Sequence, residues 1–218
     1  MSTRVPLSPP TPRRAPRQAR SRALVEAIVT AGARVLGTRG WTGFTTNEVA
    51  QVAGVSIGSL YQYFPNKVAL VDAIRRRHLE TVLAAVSAGC NGDKPAGQLV
   101  DDLVGGLIAA HSIEPEVHRV LLDELPRAGQ ADADKAAFMA EYLASYKLLI
   151  ARHCGGAPEA VSDLSAQVLS ATVEGVIHDF ARRGMLDAPT LQQELVRLVR
   201  AYLLGLQAQG MPVLSSNQ

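Results

Sequence analysis

The stretch Thr45–Lys67, TTNEVAQVAGVSIGSLYQYFPNK, constrains the fold of this chain most, because it encodes two short helices and the tight turn between them. Thr45 stands three residues before Glu48, the capping-box spacing in which a threonine oxygen accepts the N3 amide and the glutamate reaches back. Val49, Ala50 and Ala53 then form an apolar stripe at helical spacing, and Gly54 supplies the left-handed conformation that ends a helix without a side-chain penalty. Ser56 caps a second helix over residues 57–64, which must stop before Pro65 because proline disfavours a helical residue ahead of it. The spacing therefore predicts a helix-turn-helix.

Winding the second helix at about 100° per residue turns Ile57, Leu60 and Phe64 inward and leaves Gly58, Ser59 and Gln62 outward, with Tyr61 and Tyr63 on the flanks. That outer face carries no charge. Gln62 can pair bidentately with an adenine edge, Ser59 can bond several bases, and Gly58 lets the backbone approach a groove. The tyrosine hydroxyls and Lys67 suit phosphates, which position a reading head without specifying sequence. The same two helices would also serve as an αα corner in an ordinary core, so the surroundings of the motif decide between the readings.

Those surroundings are basic. The net charge is +2, but residues 1–78 hold 12 Lys/Arg against three Asp/Glu, whereas residues 79–218 hold 10 against 17. A cationic first third around a helix-turn-helix is the electrostatic footprint of nucleic-acid binding, and the acidic remainder would be repelled by phosphate. Residues 1–19 are rich in Pro, Arg and Ser without periodicity and read as an arm without fixed structure. Arg13, Arg14, Arg17 and Arg20 lie where such an arm would track phosphate or enter a minor groove; a solvated tail is the alternative.

Two cysteines, Cys90 and Cys154, are too few for a disulfide framework, and a reducing cytoplasm is the expected location. The N-terminus has no apolar signal region, and no uncharged apolar run is long enough for a membrane span. P-loop, GxGxxG and HExxH motifs are missing, which argues against an enzyme carrying a helix-turn-helix; no cofactor is expected.

The remaining periodicity is helical, giving an all-α chain. A first helix is expected over residues 21–38, ending at Gly40, with Trp41 and Phe44 as core residues that pin the connection. A long helix over 66–88 follows, with Arg75, Arg76, Arg77 and His78 read as a solvated face; residues 89–97 form a loop. Five further helices are expected at 97–112, 115–125, 132–153, 158–183 and 189–208. The last two are apolar on wide faces. Val161, Leu164, Val168, Ala171, Leu195, Leu198, Tyr202 and Leu203 are the candidate dimer interface, with a larger monomer core as the alternative.

Taken together, Ile28 through Ile74 resembles the TetR (tetracycline repressor) family of bacterial transcription regulators. The resemblance rests on Gly40-Trp41, Thr45-Thr46, Val49-Ala50, Ala53-Gly54-Val55-Ser56, Ser59-Leu60-Tyr61, Tyr63-Phe64 and Lys67 with Leu70 behind. It implies an all-helical homodimer: a three-helix DNA-binding domain over 20–65, then a connector helix and an effector-binding and dimerisation bundle over 66–210, followed by a disordered tail over 211–218. By position it maps the family's DNA contacts onto Thr45, Thr46, Ser56, Ile57, Gly58, Ser59, Tyr61, Gln62, Tyr63 and Lys67. It further implies repression at a palindromic double-stranded operator, relieved when a small molecule moves the connector and spoils a head spacing of about 34–36 Å, one DNA turn. An architectural or activating DNA binder without effector release is the alternative.

The effector is not named by the sequence. Phe138, Met139, Tyr142 and Tyr146 share a helix at helical spacing, and with His111, His118 and His178 they are candidates for an apolar pocket with polar handles, or for plain core. Glu174, Asp179 and Asp123 sit in apolar segments and could meet a cationic ligand. The histidines and Cys154 lack HxxxH or CxxC spacing, so no metal site is expected.

Overall fold

In the computed structural model, which describes residues 15–90, 94–123 and 132–208, the chain is all-helical. The elements are α1 (Ala15–Gly43), α2 (Thr46–Ala53), α3 (Ile57–Tyr61), α4 (Lys67–Cys90), α5 (Ala96–Ser112), α6 (Pro115–Asp123), α7 (Asp132–Cys154), a 3₁₀ turn (Pro158–Ala160), α8 (Asp163–Arg182) and α9 (Leu191–Ala208). Two departures from expectation are local. The first helix begins at Ala15, so residues 15–19 are helical rather than a free arm, and it runs to Gly43 through a kink at Gly40. The helix expected over 158–183 is broken, because Ser162 turns extended and its hydroxyl accepts from the Leu164 amide, restarting the helix as α8.

Two hydrophobic clusters organise the chain. The first packs Ile28, Val35 and Leu36 of α1 and Phe44 against Val49 and Ala50 of α2, Leu60 of α3 and Phe64. The second gathers Leu99, Leu103 and Leu107 of α5, Tyr146 and Leu149 of α7, Leu169, Val173 and Ile177 of α8, and Leu195, Val199 and Leu203 of α9. Helix α4 belongs to both: Leu70, Val71 and Ile74 seat the head, whereas Val82, Val86 and Cys90 enter the bundle. Short α6 adds a second bond between the units, since its Val117 and Val120 are buried in the head cluster. Arg77 of α4 closes the junction, donating to Thr30 of α1 at 2.8 Å and to Glu114, just ahead of α6, at 3.0 and 3.2 Å. The basic run on α4 is therefore not simply a solvated face.

Two glycines are required for different reasons. Gly54 ends α2 with φ 68°, and its amide bonds back to that helix, so left-handed geometry is the constraint there. At Gly89 the constraint is space: a Cβ would lie 2.6 Å from Leu103 Cα and 2.7 Å from its backbone nitrogen, so α4 and α5 touch backbone to backbone.

Because nothing lies within 4 Å of a Cβ at Gly54, Gly54→Ala should cost only the left-handed strain, about 1–2 kcal/mol. Gly89→Ala should cost about 3 kcal/mol or more, since backbone rather than a rotatable side chain must yield. Chemical denaturation of the two variants side by side checks this; equal losses would contradict the close approach at Gly89.

Candidate nucleic-acid interface and effector cavity

The head is built by its caps. The Thr45 hydroxyl accepts from the Glu48 amide at 3.3 Å and the Ser56 hydroxyl from the Ser59 amide at 3.1 Å, so both short helices start on a side-chain acceptor. Glu48 also pairs with Arg39 of α1 at 2.9 Å. Helix α3 proper ends at Tyr61, yet the Phe64 amide still bonds to the Leu60 carbonyl at 2.9 Å, which keeps Gln62 and Tyr63 on a helical path to Pro65. Leu60 and Phe64 are buried, as the helical wheel requires. Ile57 is not: at 37% exposure it stands with the outer face, because as the first residue of a five-residue helix it overhangs the core.

Ile57, Gly58, Tyr61, Gln62 and Tyr63 are therefore exposed together, with Ser56 at the helix start and Ser59 half-buried between them. The Tyr61 hydroxyl lies 3.0 Å from Thr46 Oγ1, a bond that ties α2 to α3 across the turn and fixes where the tyrosine can point. Trp41, half-buried, contributes in a way the sequence reading missed: the Lys67 ammonium sits 4.0 Å over its ring, which holds the cation at the head's edge. Of the arm arginines, Arg20 is exposed on α1; the side chain of Arg17, and Arg13 and Arg14 altogether, fall outside the described residues.

A cavity of about 480 Å³ lies beneath the head, walled by Arg75, His78, Leu79 and Val82 of α4, His111 of α5, His118 and Leu121 of α6, Phe138, Met139, Tyr142 and Leu143 of α7, and Gln167, Ser170, Ala171, Glu174 and His178 of α8. Six of the seven candidate pocket residues are thus brought together. Tyr146 stands behind them, fully buried, with its hydroxyl 3.2 Å from that of Tyr142. His78 is among the wall residues that sequence reading missed. The signal was present, since Val71, Ile74, His78 and Val82 recur at the spacing of one buried helix face.

Polar groups converge at one end of this cavity. His178 Nε2 donates to Glu174 Oε2 at 2.7 Å, His111 Nε2 lies 3.6 Å from the same oxygen, and the Tyr142 hydroxyl donates to Glu174 Oε1. His118 Nδ1 and His78 Nε2 are 2.8 Å apart and share one proton. Burial, reinforced by neighbouring His111, lowers His78 to about 4 and His118 to about 2, so both imidazoles are neutral at pH 7. Burial also opposes the charge on Glu174, but His111 and His178 outweigh it and hold the carboxyl well below its ordinary range. Burial, with Tyr146 and Glu174 alongside, keeps the Tyr142 hydroxyl protonated as the donor.

The candidate dimer residues separate into two sets. Val161, Leu195 and Leu203 are buried in the chain's own core, which corrects their assignment to an interface: where the apolar face of a helix is this wide, periodicity cannot say which part of it meets the chain itself. Leu164 at 66% exposure, Val168, Ala171 and Gly175 line an outward stripe of α8, and Leu198, Ala201, Leu204 and Gly205 a matching one on α9, with Tyr202 half-buried beside it. Helix approach across this face is unobstructed, since a Cβ at Gly175 or Gly205 would meet nothing within 4 Å.

Among the described residues no helix is long and apolar enough to cross a membrane. Structures similar to this one include the fatty acid degradation regulator FadR from Bacillus halodurans (TM-score 0.63, 20% identity, 83% of this chain and 97% of that one). Another is NalD, the secondary repressor of the MexAB-OprM multidrug efflux pump in Pseudomonas aeruginosa (TM-score 0.62, 19% identity, 83% and 97%). A curated relative, the nucleoid occlusion factor SlmA of Actinobacillus pleuropneumoniae, is 30% identical over 77 residues, and the match spans 38% of that protein's length. Residues 28–74 match the family described as bacterial regulatory proteins, tetR family, and residues 95–203 the tetracyclin repressor-like C-terminal domain. With the head, the first turns of α4 and half of the chain's length in the bundle covered by those two matches, the protein belongs to the TetR family of DNA-binding transcriptional regulators.

Proposed function

We propose that this protein is a repressor that occupies a palindromic operator as a homodimer and is released when an effector fills the cavity between α4 and α8. One observation carries the reading: the cavity is walled by the same helix that seats the head, with Ile74 in the head core and Arg75 and His78 in the cavity wall. An occupant that prefers one position of α4 therefore biases the placement of α3, by as much as its affinity differs between the two positions. An architectural binder without an effector has no use for a cavity of about 480 Å³ walled by α4 through α8.

Within the head, Gln62 and Ser59 read base edges, and Thr45, Thr46, Ser56, Tyr61, Tyr63 and Lys67 hold the backbone. Dimerisation uses the outward stripes of α8 and α9. Glycine and alanine at 171, 175, 201 and 205 let two such faces pack closely, with Leu164, Val168, Leu198 and Leu204 as the apolar contacts.

An operator selected from random DNA, followed by fluorescence anisotropy on single-base variants, tests the reading head. Gln62→Ala should relax preference at one base pair by about 1–3 kcal/mol, while Lys67→Ala should weaken all sequences alike and lower the salt slope by about one. Uniform loss on every DNA for Gln62→Ala would remove its reading role. For the interface, Leu204→Glu should shift sedimentation from dimer to monomer with the fold retained, whereas Leu195→Ala should lose about 2–5 kcal/mol of stability. A Leu204→Glu protein that stays dimeric would place the interface elsewhere.

A further inference from the structure

The polar end of the cavity has a composition that an apolar effector does not explain. Four of the five histidines in the chain, from α4, α5, α6 and α8, meet there, five of their six ring pairs having centroids 4.5–5.7 Å apart, beside the buried carboxylate of Glu174. His78, His111 and His118 form one group of potential ligand atoms within 4.8 Å of one another, and His111, Glu174 and His178 a second. His111 belongs to both. We propose that His78, His111, His118, His178 and Glu174 form a site for a divalent transition-metal ion of the zinc, cobalt and nickel class, and that this ion is the effector or part of it.

Three features favour an ion over mutual hydrogen bonding. The ring nitrogen His118 Nε2 is buried and has no partner, although the residue is only 3% exposed. Second, His111 Nδ1 lies 2.8 Å from the Leu107 carbonyl, which can only accept, so Nδ1 is the donor and Nε2 is the nitrogen turned to the cluster, 3.6 Å from Glu174 Oε2. That distance is longer than a hydrogen bond and leaves room for an ion between the two atoms. Third, the outer shell has the form that tunes metal ligands: a backbone carbonyl orients His111, and Tyr142, itself held by Tyr146, donates to the free oxygen of Glu174.

Imidazoles with one carboxylate suit zinc and its neighbours, whereas calcium and magnesium need mostly oxygen ligands. With metal–ligand bonds of about 2.0–2.1 Å, an ion that takes four of these five donors in a tetrahedron brings them to about 3.3 Å from one another. Donors that now lie within 4.8 Å of one another in each of the two groups would close in on it. Since they stand on four helices, and since α4 and α6 also pack into the head, binding the ion shifts those two helices relative to α8. This consequence for DNA rests on the repressor reading; the site itself does not.

The test uses the full chain with any purification tag removed, stripped with chelator and dialysed free of it. Calorimetric titration with Zn²⁺ should give one ion per chain, Co²⁺ should develop visible ligand-field absorption, and Mg²⁺ and Ca²⁺ should displace neither. His118→Ala, His111→Ala and Glu174→Gln should each weaken Zn²⁺ binding by at least about 10- to 100-fold, the loss typical of supporting groups. His153→Ala, which removes the histidine outside the cluster, should leave it unchanged. Should an alanine variant fail to fold, the Co²⁺ spectrum of the unaltered chain and the isosteric Glu174→Gln still decide. Failure of the unaltered chain to bind Zn²⁺ or Co²⁺, or binding that survives loss of both His111 and His118, overturns the site. Zn²⁺ should also lower affinity for the selected operator by about 5- to 150-fold, the usual range of coupling between sites. Operator binding by the stripped protein with no metal uptake defeats the metal site and leaves the repressor reading standing; metal uptake without any operator binding does the reverse.

Discussion

Everything in this molecule depends on α4 being shared between two hydrophobic cores. Leu70, Val71 and Ile74 are fully or almost fully buried against the head, and Val82, Val86 and Cys90 against the bundle, so the helix cannot leave either without exposing several aliphatic side chains at about 1.5–3 kcal/mol each. Connection by a flexible linker would have let the head reorient freely. Connection by a core-embedded helix means that the head moves only as the bundle repacks. The Arg77 contacts to Thr30 and Glu114 add direction rather than much energy, since partly exposed ion pairs of this kind contribute about 0–1 kcal/mol.

The two halves of the chain differ in how plainly their sequence states their structure. The head is dense in local signals: Thr45 and Ser56 as caps, Gly54 as a left-handed stop and Pro65 as a barrier fix α2 and α3 within a few residues. Only Ile57 escapes the pattern, because a wheel assumes a helix long enough to lie along its core. In the bundle, by contrast, helices were legible as apolar periodicity while their facing was not. Leu195 and Leu204 look alike in sequence, yet one is 2% exposed and the other 58%.

The histidine cluster shows the same limit from another side. A metal motif is readable when its ligands share one helix or loop, because backbone periodicity then sets their separation. Here His78, His111, His118 and Glu174 with His178 come from four helices, so tertiary packing alone brings them together. His78 also hid behind three arginines; its place on the Val71–Ile74–Val82 stripe outweighs the charge of its neighbours, since a helix presents one face to the core whatever occupies the others.

The backbone contact between Gly89 and Leu103 gives α4 a fulcrum. It sits near the far end of the helix from the head, where two main chains meet with no side chain to cushion sliding. At about 1.5 Å of rise per residue, His78 lies about 16 Å from that point and Lys67 about 33 Å. With the fulcrum held, α4 acts as a lever with a mechanical advantage of about two, and a sideways step of 1 Å in the wall of the cavity arrives at the base of the reading head as roughly 2 Å. In the homodimer proposed above, a pair of such levers would convert a rearrangement of bond length in the bundle into a mismatch on the scale of a base-pair step.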